Sequence, residues 1–167
     1  MQVKFTVLDP DAKVPHKNYG KGDAGFDIYT LPSVLPVRLL PGESALLSTG
    51  LAVEYEPEYA MVVENRSGNA TKGLVVGACV VDSNYRGEVK LDVHNISDRR
   101  ILLYDVDPEV KDEFLMDQIY HIDGHSAIAQ VLFYRVEHPE WVMVDRLSDT
   151  RRSSKMLGSS NKREGVE

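Results

Sequence analysis

The sequence carries one cysteine, Cys79, in 167 residues, which excludes an intrachain disulfide framework and a multi-cysteine zinc site. No apolar run approaches the ~18 residues of a membrane-spanning helix, and the opening stretch MQVKFTVLDPDAKVP has no signal-peptide core. A cytoplasmic setting with no membrane partner is the expectation. Positive charge is in deficit: 19 Lys+Arg against 26 Asp+Glu give a formal charge of −7. Broad nucleic-acid binding rests on many phosphate-directed cations, so no nucleic-acid partner is expected. A polyanionic small ligand needs only a local cluster. Trp141 and the tyrosines are scattered and make no base-stacking platform. Internal repeats are absent.

What is present is a run of short β segments between turn residues. Gln2 to Leu8 alternates, with Val3, Phe5 and Val7 on one face of a half-buried strand. Glu43–Glu54, Tyr59–Glu64, Leu74–Val81, Gly87–His94, Ala127–Val136 and Trp141–Arg146 read as further strands. Strands at this spacing, without amphipathic helices between them, predict an all-β sandwich or barrel in one domain. One segment differs: Asp107-Pro108-Glu109 has helix-start chemistry, and Val110, Phe114 and Ile119 extend an apolar stripe to about residue 120. From Ser148 onward the composition offers little to bury.

Several local patterns carry chemistry. Gly20-Lys21-Gly22-Asp23-Ala24-Gly25 matches G-x-G-x-x-G but lacks the preceding strand and the following helix that make it a dinucleotide site. Asn65 to Gly73 packs two cations, two hydroxyls and two glycines into nine positions, suited to phosphate oxygens and equally to a solvated hairpin loop. Asp82 directly follows an apolar strand, where a carboxylate can orient a water or simply begin a turn. His121 and His125 stand four apart, but Gly124 breaks a helix there and no second ligand cluster exists; they read as ordinary polar residues. Cys79 reads as a buried small hydrophobe.

Taken in order, these segments resemble the trimeric dUTPase family. Ala24-Gly25-Phe26-Asp27-Ile28-Tyr29 resembles its first motif, and Arg66-Ser67-Gly68 with Ala70 and Lys72 its second. Gly77 to Gly87 (GACVVDSNYRG) is similar to the third, Ile128-Ala129-Gln130 to the fourth, and Arg152 to Ser160 to a worn fifth. The resemblance implies an all-β, jelly-roll-like fold, a homotrimer, and Mg²⁺-assisted hydrolysis of dUTP to dUMP and pyrophosphate. It implies a β domain over 1–148, with an insertion at about 103–123, and a C-terminal arm over 149–167 that closes on a neighbour.

Residue by residue, the resemblance makes Asp82 the group that activates water for attack at the α-phosphorus. Tyr85 then lies against the deoxyribose, and the strand containing Gly77, Cys79 and Val81 reads uracil through its backbone. Arg66, Ser67, Gly68 and Gln130 bind phosphates, and Asp27 holds waters of the metal. Arg152, Leu157, Gly158, Ser159 and Ser160 close over the nucleotide. Four departures stand out. Cys79 replaces a usual Gly, Ala127 a common Arg, Ser153 and Ser154 glycines, and Leu157 a stacking aromatic. Two competing functions remain open at this point. One is a dCTP deaminase or bifunctional deaminase–diphosphatase using an acid such as Glu88. The other is a regulatory binding protein whose insertion docks a protein partner.

Overall fold

A computed structural model describes residues 1–105 and 119–150. The chain divides into two compact units, Met1–Glu137 and His138–Glu167. The first unit is built almost wholly of strands: β1 (Lys4–Val7), β2 (Phe26–Ile28), β3 (Val37–Leu39), β4 (Ser44–Ser48), β5 (Leu51–Glu54) and β6 (Tyr59–Asn65). After a one-turn helix α1 (Ser67–Ala70) come β7 (Leu74–Gly77), β8 (Val80–Val81), β9 (Lys90–Asn95), β10 (Arg100–Tyr104), β11 (Ile119–Asp123) and β12 (Ala129–Arg135). They form four small sheets ordered β1-β5, β11-β10-β3, β2-β12-β6-β8 and β4-β9-β7. This is the jelly-roll-like all-β architecture expected.

Period-two patterning explains which faces meet. Leu91 and Val93 of β9, Met61 and Val63 of β6, and Ile101 and Leu103 of β10 all turn inward to one apolar core. The intervening Asp92, His94, Val62 and Leu102 stay partly open. The expected strand at Gly87–His94 is present as β9 with Val89 buried just before it. β10 and β11 pair in parallel, Arg100 against Ile119 through Tyr104 against Asp123.

Several expectations need correction. The Glu43–Glu54 strand is two, β4 and β5, because the chain turns through Gly50 at φ +70°. Leu74–Val81 is likewise split into β7 and β8 at Ala78, a non-glycine residue at φ +42°. β1 forms, but its apolar side chains are not half-buried: Phe5 is 49% exposed. Phe5 borders an apolar groove with Val3, Phe26 and Phe133 instead. Trp141–Arg146 takes no strand; a strand needs ladder partners for its N–H and C=O groups, and Trp141 is 95% exposed. Asn65–Gly73 is not a simple hairpin loop, since α1 occupies its centre. β2, β3, β10 and β11 were not anticipated; three residues apiece in β2 and β3 is too short for a periodic signal. The expected helix from Asp107 lies outside the described residues except for Ile119 and Tyr120, which belong to β11. No helix among the described residues is long and apolar enough to cross a membrane.

Candidate active site

The register of β12 decides which motifs meet. Gln130 sits opposite Asp27 of β2 on one side and Glu64 of β6 on the other. β6 then delivers Arg66 and α1 at the same end of the sheet. The first, second and fourth motifs thus converge, although they are separated by tens of residues in sequence.

Arg66 is held on two sides. Its Nε lies 3.1 Å from Asp27 Oδ1, and its guanidinium donates at 2.8 Å to the carbonyl of Ala127. Asn69 of α1 donates to the carbonyls of Ala127 and Ile128 at 3.2 and 2.8 Å, tying the turn to the start of β12. Position 127 therefore contributes its backbone carbonyl to this arrangement. Asp27 is itself braced from the other side, Asn18 Nδ2 donating to its Oδ2 at 2.8 Å. Gln130 donates through Nε2 to the Asn65 carbonyl at 2.9 Å. Gly25 is required for this placement, because a Cβ there would overlap the Gln130 side-chain amide. A cavity of about 590 Å³ opens beside the cluster, lined by Lys13, His16, Asn18, Asp27, Tyr29 and Arg66 among others. Burial and then the Asp27 charge push the Tyr29 hydroxyl above its ordinary pKa, against a smaller opposing pull from Arg66, so it stays a neutral phenol.

The third motif occupies the opposite edge. β7 belongs to one sheet and β8 to another, and each is an outermost strand. Segment 77–81 therefore crosses between sheets, with an outer side that no described strand pairs. Val63 N donates to Cys79 O at 2.7 Å, which fixes the inner side. Asp82 is exposed and opens a tight turn in which Tyr85 N donates to Asp82 O at 3.0 Å. The two readings of Asp82, turn former and available carboxylate, are compatible. Tyr85 folds back so that its hydroxyl donates to Glu88 O at 3.2 Å, lying over Gly87, where any Cβ would meet the phenol. Glu88 is occupied: Gly50 N donates to it at 2.9 Å, Ser48 Oγ at 3.4 Å, and Lys90 Nζ lies 3.5 Å away. Cys79 is half-buried rather than fully buried. Burial, and then the charges of Glu64 and Asp92, raise its thiol pKa and keep it protonated.

Asp82 and Arg66 lie towards opposite ends of β6. Val81 pairs with Met61 near the beginning of β6, whereas Arg66 leaves its far end. The span from Met61 to Arg66 is about 17 Å at roughly 3.3 Å per residue. His121 lies on β11 and His125 in the turn after it. His125 bonds Asp105 at 2.8 Å, and both buried ring nitrogens of His121 have no hydrogen-bond partner among the described residues. Arg152, Leu157, Gly158, Ser159 and Ser160 lie outside the described residues. Two supporting residues escaped sequence reasoning. Asn18 has no local signal, and Tyr55 ends an apolar strand where a hydrophobic residue is the ordinary expectation.

The family model for dUTPase matches residues 11–107. The deoxyuridine 5'-triphosphate nucleotidohydrolase of Thermobifida fusca is 34% identical over 163 residues, covering 96% of this chain and 79% of that relative. That of Nautilia profundicola is 33% identical over 165 residues, covering 97% and 100%. The class is therefore a jelly-roll-like β hydrolase of nucleotide metabolism. Within that class, the chain belongs to the dUTPase family. Solved structures agree in fold. A dUTPase of Staphylococcus bacteriophage 80alpha with dUpNHpp superposes at a TM-score of 0.72 with 24% identity, covering 95% of this chain and 98% of that one. The dUTPase of phage phi11 of S. aureus, solved to visualise a species-specific insert, gives 0.68 with 22% identity over 90% and 100%. A variant of the same phage enzyme, solved for the coordination of a structural Mg(II) ion, gives 0.67 with 22% identity over 89% and 100%.

Proposed function

We propose that this chain hydrolyses dUTP to dUMP and pyrophosphate by attack of water on the α-phosphorus. The observation that carries the reading is the Arg66–Asp27 pair beside an open cavity, with Gln130 opposite Asp27 in the ladder. Arg66 is braced by Asp27 and the Ala127 carbonyl, so its remaining donors are held in a fixed direction when phosphate oxygens arrive. Ser67 opens α1, where small residues let a phosphate approach the backbone; its hydroxyl serves the α,β-bridging oxygen as leaving-group charge develops. Gln130 adds an amide contact. Asp82 orients the water and accepts its proton as the new P–O bond forms. Tyr85, folded over Gly87, fills the space a 2′-hydroxyl would need and selects deoxyribose. Segment 77–81, with Gly77, Cys79 and Val81, reads uracil through its backbone, a task that does not depend on the side chain at 79.

The donor set at Asp27 fits a water-mediated Mg²⁺. One carboxylate oxygen is ion-paired with Arg66 and the other accepts from Asn18, each keeps lone-pair capacity, and the adjoining cavity leaves room for water. Bound there, the ion would neutralise triphosphate charge, while Asp27 and Asn18 keep Arg66 in place.

The separation of Asp82 from Arg66 along β6 supports a site completed by a second copy, hence the homotrimer. In this reading β domain 1–148 carries the insertion at about 103–123, and arm 149–167 supplies Arg152 to the γ-phosphate. Leu157, Gly158, Ser159 and Ser160 then cover the nucleotide. A cytoplasmic setting goes with the lone thiol. The engagement of Glu88 by Gly50 and Ser48 argues against a deaminase, which needs a free acid over the base. The test is pyrophosphate release from dUTP, dTTP, dCTP and UTP with Mg²⁺. The expected outcome is preference for dUTP by roughly a hundredfold or more, the discrimination that a polar site reaches. Ammonia from dCTP at a rate rivalling dUTP cleavage would overturn it.

A further inference from the structure

Tyr55 lies just after β5 and is 6% exposed, yet its hydroxyl works at the catalytic edge. The β6–β8 ladder is short: Val63 N donates to Cys79 O at 2.7 Å, Val62 faces Val80, and Met61 faces Val81 on the last rung before Asp82. The Tyr55 hydroxyl joins both ends of that rung. Met61 N donates to it at 3.0 Å, and it donates to the Val81 carbonyl. The ring is locked edge-on against Phe133, with centroids 5.3 Å apart at 82°. β8 has only two residues, lies at a sheet edge and follows the positive-φ Ala78, so on the strand side of Asp82 the Tyr55 hydroxyl is the bond nearest to it, with the Tyr85 N–H on Asp82 O beyond. We propose that Tyr55 is a positioning residue for hydrolysis: through the Val81 carbonyl it aims the Asp82 carboxylate at the attacking water.

Burial raises the Tyr55 pKa most, against the Met61 N–H, and the nearby Asp82 charge raises it further; the phenol is thus a proton donor throughout the neutral range. The segment that reads the base is held separately, by Val63 on Cys79 and by the Val62–Val80 pairing. Loss of the hydroxyl should therefore affect the chemical step more than substrate binding. This inference rests on Asp82 acting as the water-activating group.

The test compares two variants of the full chain, each losing one buried hydroxyl that links a backbone N–H to a backbone carbonyl. Tyr55→Phe keeps the ring and its contact with Phe133. Thr49→Val removes a hydroxyl that donates to Val89 O at 2.6 Å and accepts from Leu51 N at 3.3 Å, neither of them in segment 77–82. Steady-state dUTP hydrolysis with Mg²⁺ and thermal melts are measured for both and for wild type. For Tyr55→Phe, kcat should fall about tenfold or more with KM within about twofold, the signature of a misplaced catalytic group. Thr49→Val should keep both constants within about twofold despite a comparable loss of Tm. An unchanged kcat in Tyr55→Phe, or an equal loss in Thr49→Val, overturns the inference. A wild-type chain inactive on dUTP overturns instead the reading under Proposed function, and this inference with it.

Discussion

The two ends of β6 are built on different principles. At its far end Arg66 is fixed by a carboxylate, a carbonyl and the neighbouring turn, and three strands supply the parts. At its near end Asp82 hangs on a two-residue edge strand and faces outward. Pre-formed cationic geometry suits a ligand whose charge is present from the start, because nothing then has to reorganise on binding. An outward carboxylate suits a group needed only when water attacks, and it leaves room for another surface to complete the site.

The sharpest way to break this contrast is Asp82→Asn. Turnover should fall by roughly 10²–10⁴-fold, the range for losing a positioned base, while calorimetry still detects binding of a non-hydrolysable dUTP analogue. Retained turnover would remove Asp82 from the mechanism. Arg66→Ala attacks the other end and should lower kcat/KM by about 10²-fold, with KM rising because ground-state phosphate contacts go too. A change confined to kcat would mean that Arg66 acts only in the transition state.

Gly25→Ala probes how tightly the far end is packed. The new methyl overlaps the Gln130 amide, so stability should drop by about 1–3 kcal/mol in a denaturant midpoint shift at constant m-value. A neutral substitution would show that Gln130 can move aside. Glu88→Gln tests the near end. Its carboxylate supports Gly50 N and lies near Lys90, so the loss should be about 1 kcal/mol, with dUTP turnover kept within severalfold. A hundredfold loss would restore Glu88 to a catalytic role.

The smallest effect concerns pH. Burial works against ionisation of Asp123, but the Ser126 hydroxyl, the His125 N–H and the charges of His125 and Lys13 outweigh it and lower its pKa. A lowered folded-state value contributes stability above the unfolded pKa of about 3.9 and loses it as pH falls through the folded value. Asp123→Asn should therefore reduce Tm at pH 7 by a degree or two, on the order expected for a fraction of a kcal/mol, and the difference should narrow as pH falls below the unfolded value. A constant difference across that range would mean the contact stabilises without titrating.

How much was legible varied with the physics involved. Strands whose alternation spans five or more residues, such as β9 and β12, could be read directly because one face must be buried. The Trp141 segment shows the limit of that rule: alternation states that a strand would be amphipathic, not that a partner strand is at hand. The splits at Gly50 and Ala78 depended on backbone turns, which the apolar runs around them conceal. Site residues were legible as motifs, yet their supports were not. Asn18 and Tyr55 act through hydrogen bonds to residues 9 and 26 positions away, distances that local patterns do not encode.

By itself the sequence determined the β character of the chain, the inward faces of its longer strands, and the chemical types at Asp27, Arg66, Ser67, Asp82 and Gln130. These follow from burial periodicity and side-chain chemistry, which are local properties. Only the tertiary structure decided that Gln130 lies between Asp27 and Glu64, that the Ala127 carbonyl receives Arg66, and that Asp82 and Arg66 stand at opposite ends of one strand. Strand register settles such matters, and register is chosen by the packing of the whole core, where a one-residue slip would turn every buried side chain outward.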